Sequence, residues 1–77
     1  MVGTFVKSRD PSVAEALAVA GYDFLIADLE HSSLSVSDVE NMVRACSGHG
    51  VSVLARVAGS RLGLAGALLD AGATGIQ

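Results

Sequence analysis

Tryptophan is absent, and proline and cysteine occur once each, at Pro11 and Cys46. A single cysteine excludes an intrachain disulfide and a multi-cysteine metal cage, and it suits a reducing cytoplasm, the expected location. Aromatic side chains are limited to Phe5, Tyr22 and Phe24, and the basic residues Lys7, Arg9, Arg44, Arg56 and Arg61 are scattered rather than striped. With a net charge of −3 there is no basic track to follow a phosphate backbone, so no nucleic-acid partner is expected. No apolar run approaches the roughly 20 residues that a bilayer span requires, and no charged-then-apolar signal is visible, so no membrane association is expected either.

Apolar surface is what the chain has in excess. Hydrophobic residues make up 51% of 77 residues and charged residues 17%, with a mean hydropathy of +0.52. A chain of this size buries a smaller fraction of its surface than one twice as long. The balance therefore suits a piece of a larger core better than a self-contained miniature.

Strand and helix signals alternate along the chain. The β-prone run Met1–Lys7 predicts a first strand. Asp10 and Pro11 then provide an N-cap and a first helical residue, and a helix is expected from Pro11 to Ala20 with Val13, Ala16, Leu17 and Ala20 on its apolar face and Gly21 as its left-handed stop. Asp23–His31 is a buried-strand run ending in Asp28, Glu30 and His31. Two overlapping capping boxes, Ser35 with Asp38 and Ser37 with Glu40, mark the start of a second helix whose apolar positions are Val36, Val39, Val43 and Cys46. Val51–Val57 reads as a third strand carrying Arg56 near its end. A third helix is expected from about Arg61 to Ala71, with Leu62, Ala65, Leu68 and Leu69 apolar, and Gly75 begins a fourth strand. Ala16-Leu17-x-x-Ala20-Gly21 recurs as Ala67-Leu68-x-x-Ala71-Gly72, each copy leading into a strand.

Strands joined by helices with short connections specify a parallel sheet, because parallel neighbours need a crossover. Right-handed crossovers place all strand C-terminal ends on one side, where α/β proteins bind ligands. Asp28, Glu30, His31 and Arg56 therefore share one rim. Each also has a plainer reading: the carboxylates as loop solvation or helix caps, the histidine as structural, and Arg56 as the ion-pair partner of Glu30. As a set they can do acid–base work, with Asp28 fixing the tautomer of His31 and Arg56 supplying positive charge to a carboxylate or enolate. His49 falls at the opposite rim and is assigned to solvent, and Cys46 to the core. Gly59-Ser60-Arg61-Leu62-Gly63 could receive an anion at a helix start, but it lacks the lysine and spacing of a P-loop.

The segments Ala-Gly-Tyr-Asp-Phe-Leu-Ile-Ala-Asp-Leu-Glu-His at 20–31, Leu-Ala-Arg-Val at 54–57 and Leu-Leu-Asp-Ala-Gly-Ala-Thr-Gly-Ile at 68–76 resemble, in order, the HpcH/HpaI aldolase family, which includes 4-hydroxy-2-oxoheptanedioate aldolase. That resemblance implies an α/β (β/α)8 TIM barrel and a class II aldolase that cleaves 4-hydroxy-2-oxo acids to pyruvate and an aldehyde with a divalent metal (Mg2+, Mn2+ or Co2+). It places His31 on the catalytic histidine, Asp28 on its carboxylate partner and Arg56 on the arginine that stabilises the pyruvate enolate, with Glu30 in a supporting position.

A whole barrel takes about 250 residues, and the family's metal ligands lie on later strands with no counterpart in this chain. Residues 1–77 are accordingly expected to form a single N-terminal fragment of a barrel domain: three βα units and the start of strand four. Such a chain is expected to be inactive alone, and to self-associate as a homo-oligomer or pair with a complementing barrel segment. The alternatives are a non-catalytic structural or assembly module and a lyase of the citrate lyase β-subunit type acting on acyl-CoA thioesters.

Overall fold

The computed structural model describes residues 2–30 and 34–76. Four strands, β1 (Gly3–Val6), β2 (Phe24–Asp28), β3 (Ser52–Arg56) and β4 (Gly75–Ile76), alternate with helices α1 (Pro11–Ala20), α2 (Val36–Cys46) and α3 (Ala65–Asp70). The strands pair in chain order β1-β2-β3-β4, and every pairing is parallel.

The helix boundaries follow local chemistry. The Asp10 carboxylate accepts from the Ser12 backbone N–H at 3.0 Å and from the Ser12 hydroxyl at 2.8 Å, while Pro11 occupies the first turn. Those two bonds, the hydroxyl's first, hold the Asp10 carboxyl below its ordinary range. Ser35 and Asp38 form a reciprocal capping box: Asp38 accepts from the Ser35 N–H at 2.8 Å, and Ser35 Oγ accepts from the Asp38 N–H at 3.4 Å. Of the two overlapping boxes in the sequence, this earlier one starts α2.

The repeated Ala-Leu-x-x-Ala-Gly motif is one helix stop used twice. After α1, the Gly21 N–H donates to the Ala18 carbonyl and the Tyr22 N–H to that of Leu17; near the end of α3, Gly72 donates to Leu69 and Ala73 to Leu68. Both glycines are left-handed, at φ 106° and 109°. In each case the next strand begins immediately, with Asp23 donating to Val2 and Thr74 to Val53.

Two expectations are corrected. The buried positions of α1 are Ala14 and Ala18, with Leu17 half-buried, whereas Val13, Ala16 and Ala20 are exposed. Alanine and valine are distributed almost all round this helix, so their spacing cannot select a face; packing against α2 does. The small Ala14 lies where the Cys46 thiol points at its carbonyl, 3.9 Å away. The second correction concerns the third helix, which does not run from Arg61 to Ala71. Gly59–Leu64 is a 3-10 segment and only Ala65–Asp70 is α-helical, with no side-chain cap. Gly59, Gly63 and Gly66 lie in this stretch, and each glycine inside an α-helix costs about 1 kcal/mol relative to alanine.

Alternation then sorts the sheet into two faces. Val6, Leu25, Ala27, Val53 and Ala55 belong to the buried cluster shared with the helices, where Val39, Met42, Cys46 and Leu68 meet them. The opposite face carries the register partners Phe5, Ile26 and Leu54, and beyond them Asp28 and Arg56. Phe5, Phe24, Ile26 and Leu54 on this second face lie outside the buried cluster that the helices share with the sheet, and Phe5 is 47% exposed there, while Ile26 and Asp28 are buried. Gly3 and Gly75 make room on it, the Phe24 ring lying where a Gly3 side chain would stand and Leu54 Cδ2 within 3.2 Å of where a Gly75 side chain would begin.

Candidate active site

Asp28 and Arg56 are register partners at the carboxyl ends of β2 and β3. The ladder continues one bond further, the Leu29 N–H donating to the Arg56 carbonyl at 2.9 Å, which holds the outgoing β2 loop against β3. Leu29 buries its side chain in the helix-facing cluster. The loop is thereby anchored on the side away from the candidate site.

Asp28 is 2% exposed, the one buried charged residue among the described residues. Its Oδ1 accepts the Glu30 backbone N–H at 3.0 Å, closing a short turn from the Asp28 side chain to the backbone two residues on. That turn brings Glu30 back over the rim. Glu30 Oε1 accepts the Arg56 Nε–H at 2.9 Å, with each side chain about one-third exposed (33% each). An ion pair this open to water contributes at most about 1 kcal/mol to stability, so its main effect is to orient the guanidinium. The anticipated pairing of Arg56 with Glu30 is therefore present.

Arg56 has a second neighbour that sequence reasoning did not assign to the site. Its Cζ lies 5.5 Å from the centroid of the Phe5 ring, within the range of a cation–π contact. Phe5 is on β1 and Arg56 on β3, so both side chains lean across β2, whose Ile26 is 8% exposed beneath this level. The available signal was positional: Phe5 is the penultimate residue of its strand and alternates onto the same face as Arg56.

His31 lies outside the described residues. His49 sits at the other end of the sheet, in the turn from α2 to β3, exposed and 3.9 Å from Glu15. Cys46 is 3% exposed within the core, where burial first, and the charge of Glu15 second, push its thiol pKa up. Both remain apart from the rim.

A divalent metal needs several anionic or imidazole donors converging on one point. Among the described residues no group of three or more His, Cys, Asp or Glu side chains has that arrangement. The Asp28 carboxylate accepts a backbone N–H and that of Glu30 an arginine N–H, which fits hydrogen bonding and charge pairing. These residues do not make a metal centre.

Comparison with known proteins gives this rim a context. The model of the HpcH/HpaI aldolase/citrate lyase family matches residues 1–77. The chain is 35% identical over 76 residues to the 2-dehydro-3,6-dideoxy-6-sulfogluconate aldolase of Pseudomonas putida, covering 99% of this chain and 30% of that protein. It is 37% identical over 75 residues to the hydroxypyruvate/pyruvate aldolase of Paraburkholderia phytofirmans, covering 95% and 29%. The chain thus spans about 30% of the length of the curated relatives it matches. Among solved structures, an HpcH/HpaI aldolase from Desulfitobacterium hafniense superposes with a TM-score of 0.87 at 33% identity, over 97% of this chain and 29% of that one. The citrate synthase SbnG does so with a TM-score of 0.87 at 31% identity, over 97% and 31%. The parallel strands and crossover helices are consistent with a portion of the TIM-barrel-type fold of these proteins, and the chain belongs to the HpcH/HpaI aldolase/citrate lyase family.

Proposed function

We propose that the chain carries the acid–base and enolate-stabilising residues of a carbon–carbon lyase acting on small 2-oxo acids, and that it forms the first three βα units and the start of strand four of a (β/α)8 barrel. The observation that carries this reading is the rim itself: a buried carboxylate, Asp28, in register with an arginine, Arg56, whose orientation Glu30 holds.

In the proposed reaction His31, partnered by Asp28, takes the proton from the 4-hydroxyl of a 4-hydroxy-2-oxo acid. The C3–C4 bond then breaks, its electron pair passing to the 2-oxo group as an enolate while C4 leaves as an aldehyde. Arg56 faces the negative charge of the carboxylate and enolate, and protonation at C3 gives pyruvate. The same groups run in reverse would support carbon–carbon bond formation. The Mg2+, Mn2+ or Co2+ that the family resemblance implies has no ligand set among the described residues, and these steps use the chain's own side chains.

The two curated relatives are both named as aldolases, which favours this branch over an acyl-CoA lyase of the citrate lyase β type. The exposed Phe5 on the second sheet face favours association with a second copy or a complementing barrel segment, and the 77-residue chain by itself is expected to release no pyruvate. The rival reading is a non-catalytic assembly module.

A chimera decides between them. Residues 1–77 replace the matched segment of the Pseudomonas putida aldolase, and pyruvate release is followed with a coupled lactate dehydrogenase assay. Activity that is lost in Arg56→Ala and His31→Ala, with folding retained, is the expected result. A folded chimera with no activity, or one indifferent to both substitutions, would favour the assembly module.

A further inference from the structure

We infer that Glu30 and Phe5 are positioning residues for Arg56: the carboxylate holds Nε, the ring supports the guanidinium, and the Nη1 and Nη2 pair is left as the edge that can meet a planar carboxylate. This deepens the proposed function and rests on it for the identity of the ligand, a 2-oxo acid.

An arginine side chain has several rotatable bonds and loses much of its freedom when it binds. A guanidinium that is already fixed avoids that cost when the ligand arrives. Glu30 reaches it because Asp28 turns the loop, and its oxygen accepts from Nε rather than from the terminal nitrogens. A guanidinium can meet a carboxylate side-on through Nε and Nη2 or end-on through Nη1 and Nη2, and Glu30 on Nε takes the first edge and leaves the second. Among the described residues no other acceptor contacts the guanidinium through those nitrogens. Phe5 supplies the second restraint at 5.5 Å and limits swinging about the Nε bond. The three residues come from three successive strand units, so their meeting is specific to this sheet order.

The charge balance fits the same role. Glu30 neutralises part of Arg56 before substrate binds and weakens its attraction for an anion. Water screens that cost because each side chain is one-third exposed, so the gain of the pairing lies in orientation. With one oxygen on Nε and a third of each side chain open to water, the cation keeps an exposed edge.

The test reads Arg56 directly. In the 77-residue chain labelled with 15N at arginine, Arg56→Lys identifies the Arg56 Nε–H signal. The expected wild-type signal exchanges slowly with solvent and is displaced by the Phe5 ring current. Glu30→Ala should speed exchange by on the order of tenfold, with Glu30→Gln, which keeps an acceptor but no charge, in between. Phe5→Leu should abolish the ring-current displacement and Phe5→Trp should keep it, while the backbone amide spectrum stays close to wild type. Unchanged exchange in Glu30→Ala together with an unchanged shift in Phe5→Leu overturns the inference.

In the active chimera, Glu30→Ala and Phe5→Leu should each lower kcat/KM for the 2-oxo acid by on the order of tenfold, with Phe5→Trp restoring it. If the Arg56 signal moves as expected in a chimera that never turns over, the enolate reading fails and the positioning roles stand. If the chimera is active and its Arg56 signal ignores both variants, the enolate reading stands and the positioning roles fail.

Discussion

Asp28 and Arg56 end adjacent parallel strands in register, yet Arg56 gives its Nε–H to Glu30, two residues past Asp28. The two carboxylates divide the work at this rim. Asp28, buried, turns the loop by accepting the Glu30 N–H, and Glu30, partly open to water, holds the cation.

Removing the Asp28 acceptor should therefore cost stability. Asp28→Ala removes the partner of the Glu30 N–H at a part-buried position that water can reach, an expected loss of about 1 kcal/mol. Asp28→Asn keeps an oxygen of the same reach and should lose less. Urea midpoints of the two variants rank them, and equal midpoints would show that the turn does not depend on this bond.

The twin helix stops predict an unequal pair. Gly21→Ala meets no atom within 4 Å, so its cost is that of a left-handed backbone alone, about 1–2 kcal/mol. Gly72→Ala carries the same cost and also brings Cβ to 2.9 Å from Val43 Cγ1. It should be the more destabilising, and Val43→Ala should recover part of the difference. Thermal unfolding of the single and double variants measures this; an equal cost for the two glycines would remove the steric component.

For the α2 capping box, Ser35→Ala should cost about 1 kcal/mol. Because Ser35 and Asp38 satisfy each other's backbone N–H groups, the double variant Ser35→Ala/Asp38→Ala should cost less than the sum of the singles. Strict additivity in denaturant unfolding would mean that the two bonds act independently.

Cys46 should behave as core. Its raised pKa means the native state prefers the neutral thiol, so its contribution to stability is complete below the ordinary thiol range, about 8.5, and is lost as pH rises through that range toward the native value. The drop in urea midpoint between pH 7 and pH 10 should be smaller in Cys46→Ala than in wild type. Reaction with a thiol reagent should track global unfolding; fast labelling of the folded chain would contradict the buried assignment.

Much of this fold is legible locally. Asp10-Pro11, Ser35 with Asp38 and the two Leu-x-x-Ala-Gly stops each close hydrogen bonds within a few residues, so their chemistry is written in adjacent positions. Strand order follows too, because each short connection leaves a strand only its next neighbour. The pairing of Arg56 with Glu30 was foreseeable for a related reason: both residues sit at the carboxyl ends of consecutive strands.

The face of α1 was not legible, since Val13, Ala14, Ala16, Leu17 and Ala18 offer several apolar stripes and only the docked α2 selects Ala14 and Ala18. Nor was the shortening of α3: Gly63 lies in the part of the expected helix that tightens into a 3-10 segment, whereas Gly66 is kept inside the α-helical part.

By itself, then, the order of amino acids determines the alternating elements, their caps and stops, and the gathering of acidic and basic groups at one rim, because these depend on contacts between near neighbours in the chain. Only the tertiary structure decides that Phe5 reaches Arg56 across β2 and that Asp28 is buried while Glu30 is not. Those outcomes depend on the lateral register of three strands and on which side of the sheet the helices cover, distances that no local spacing encodes.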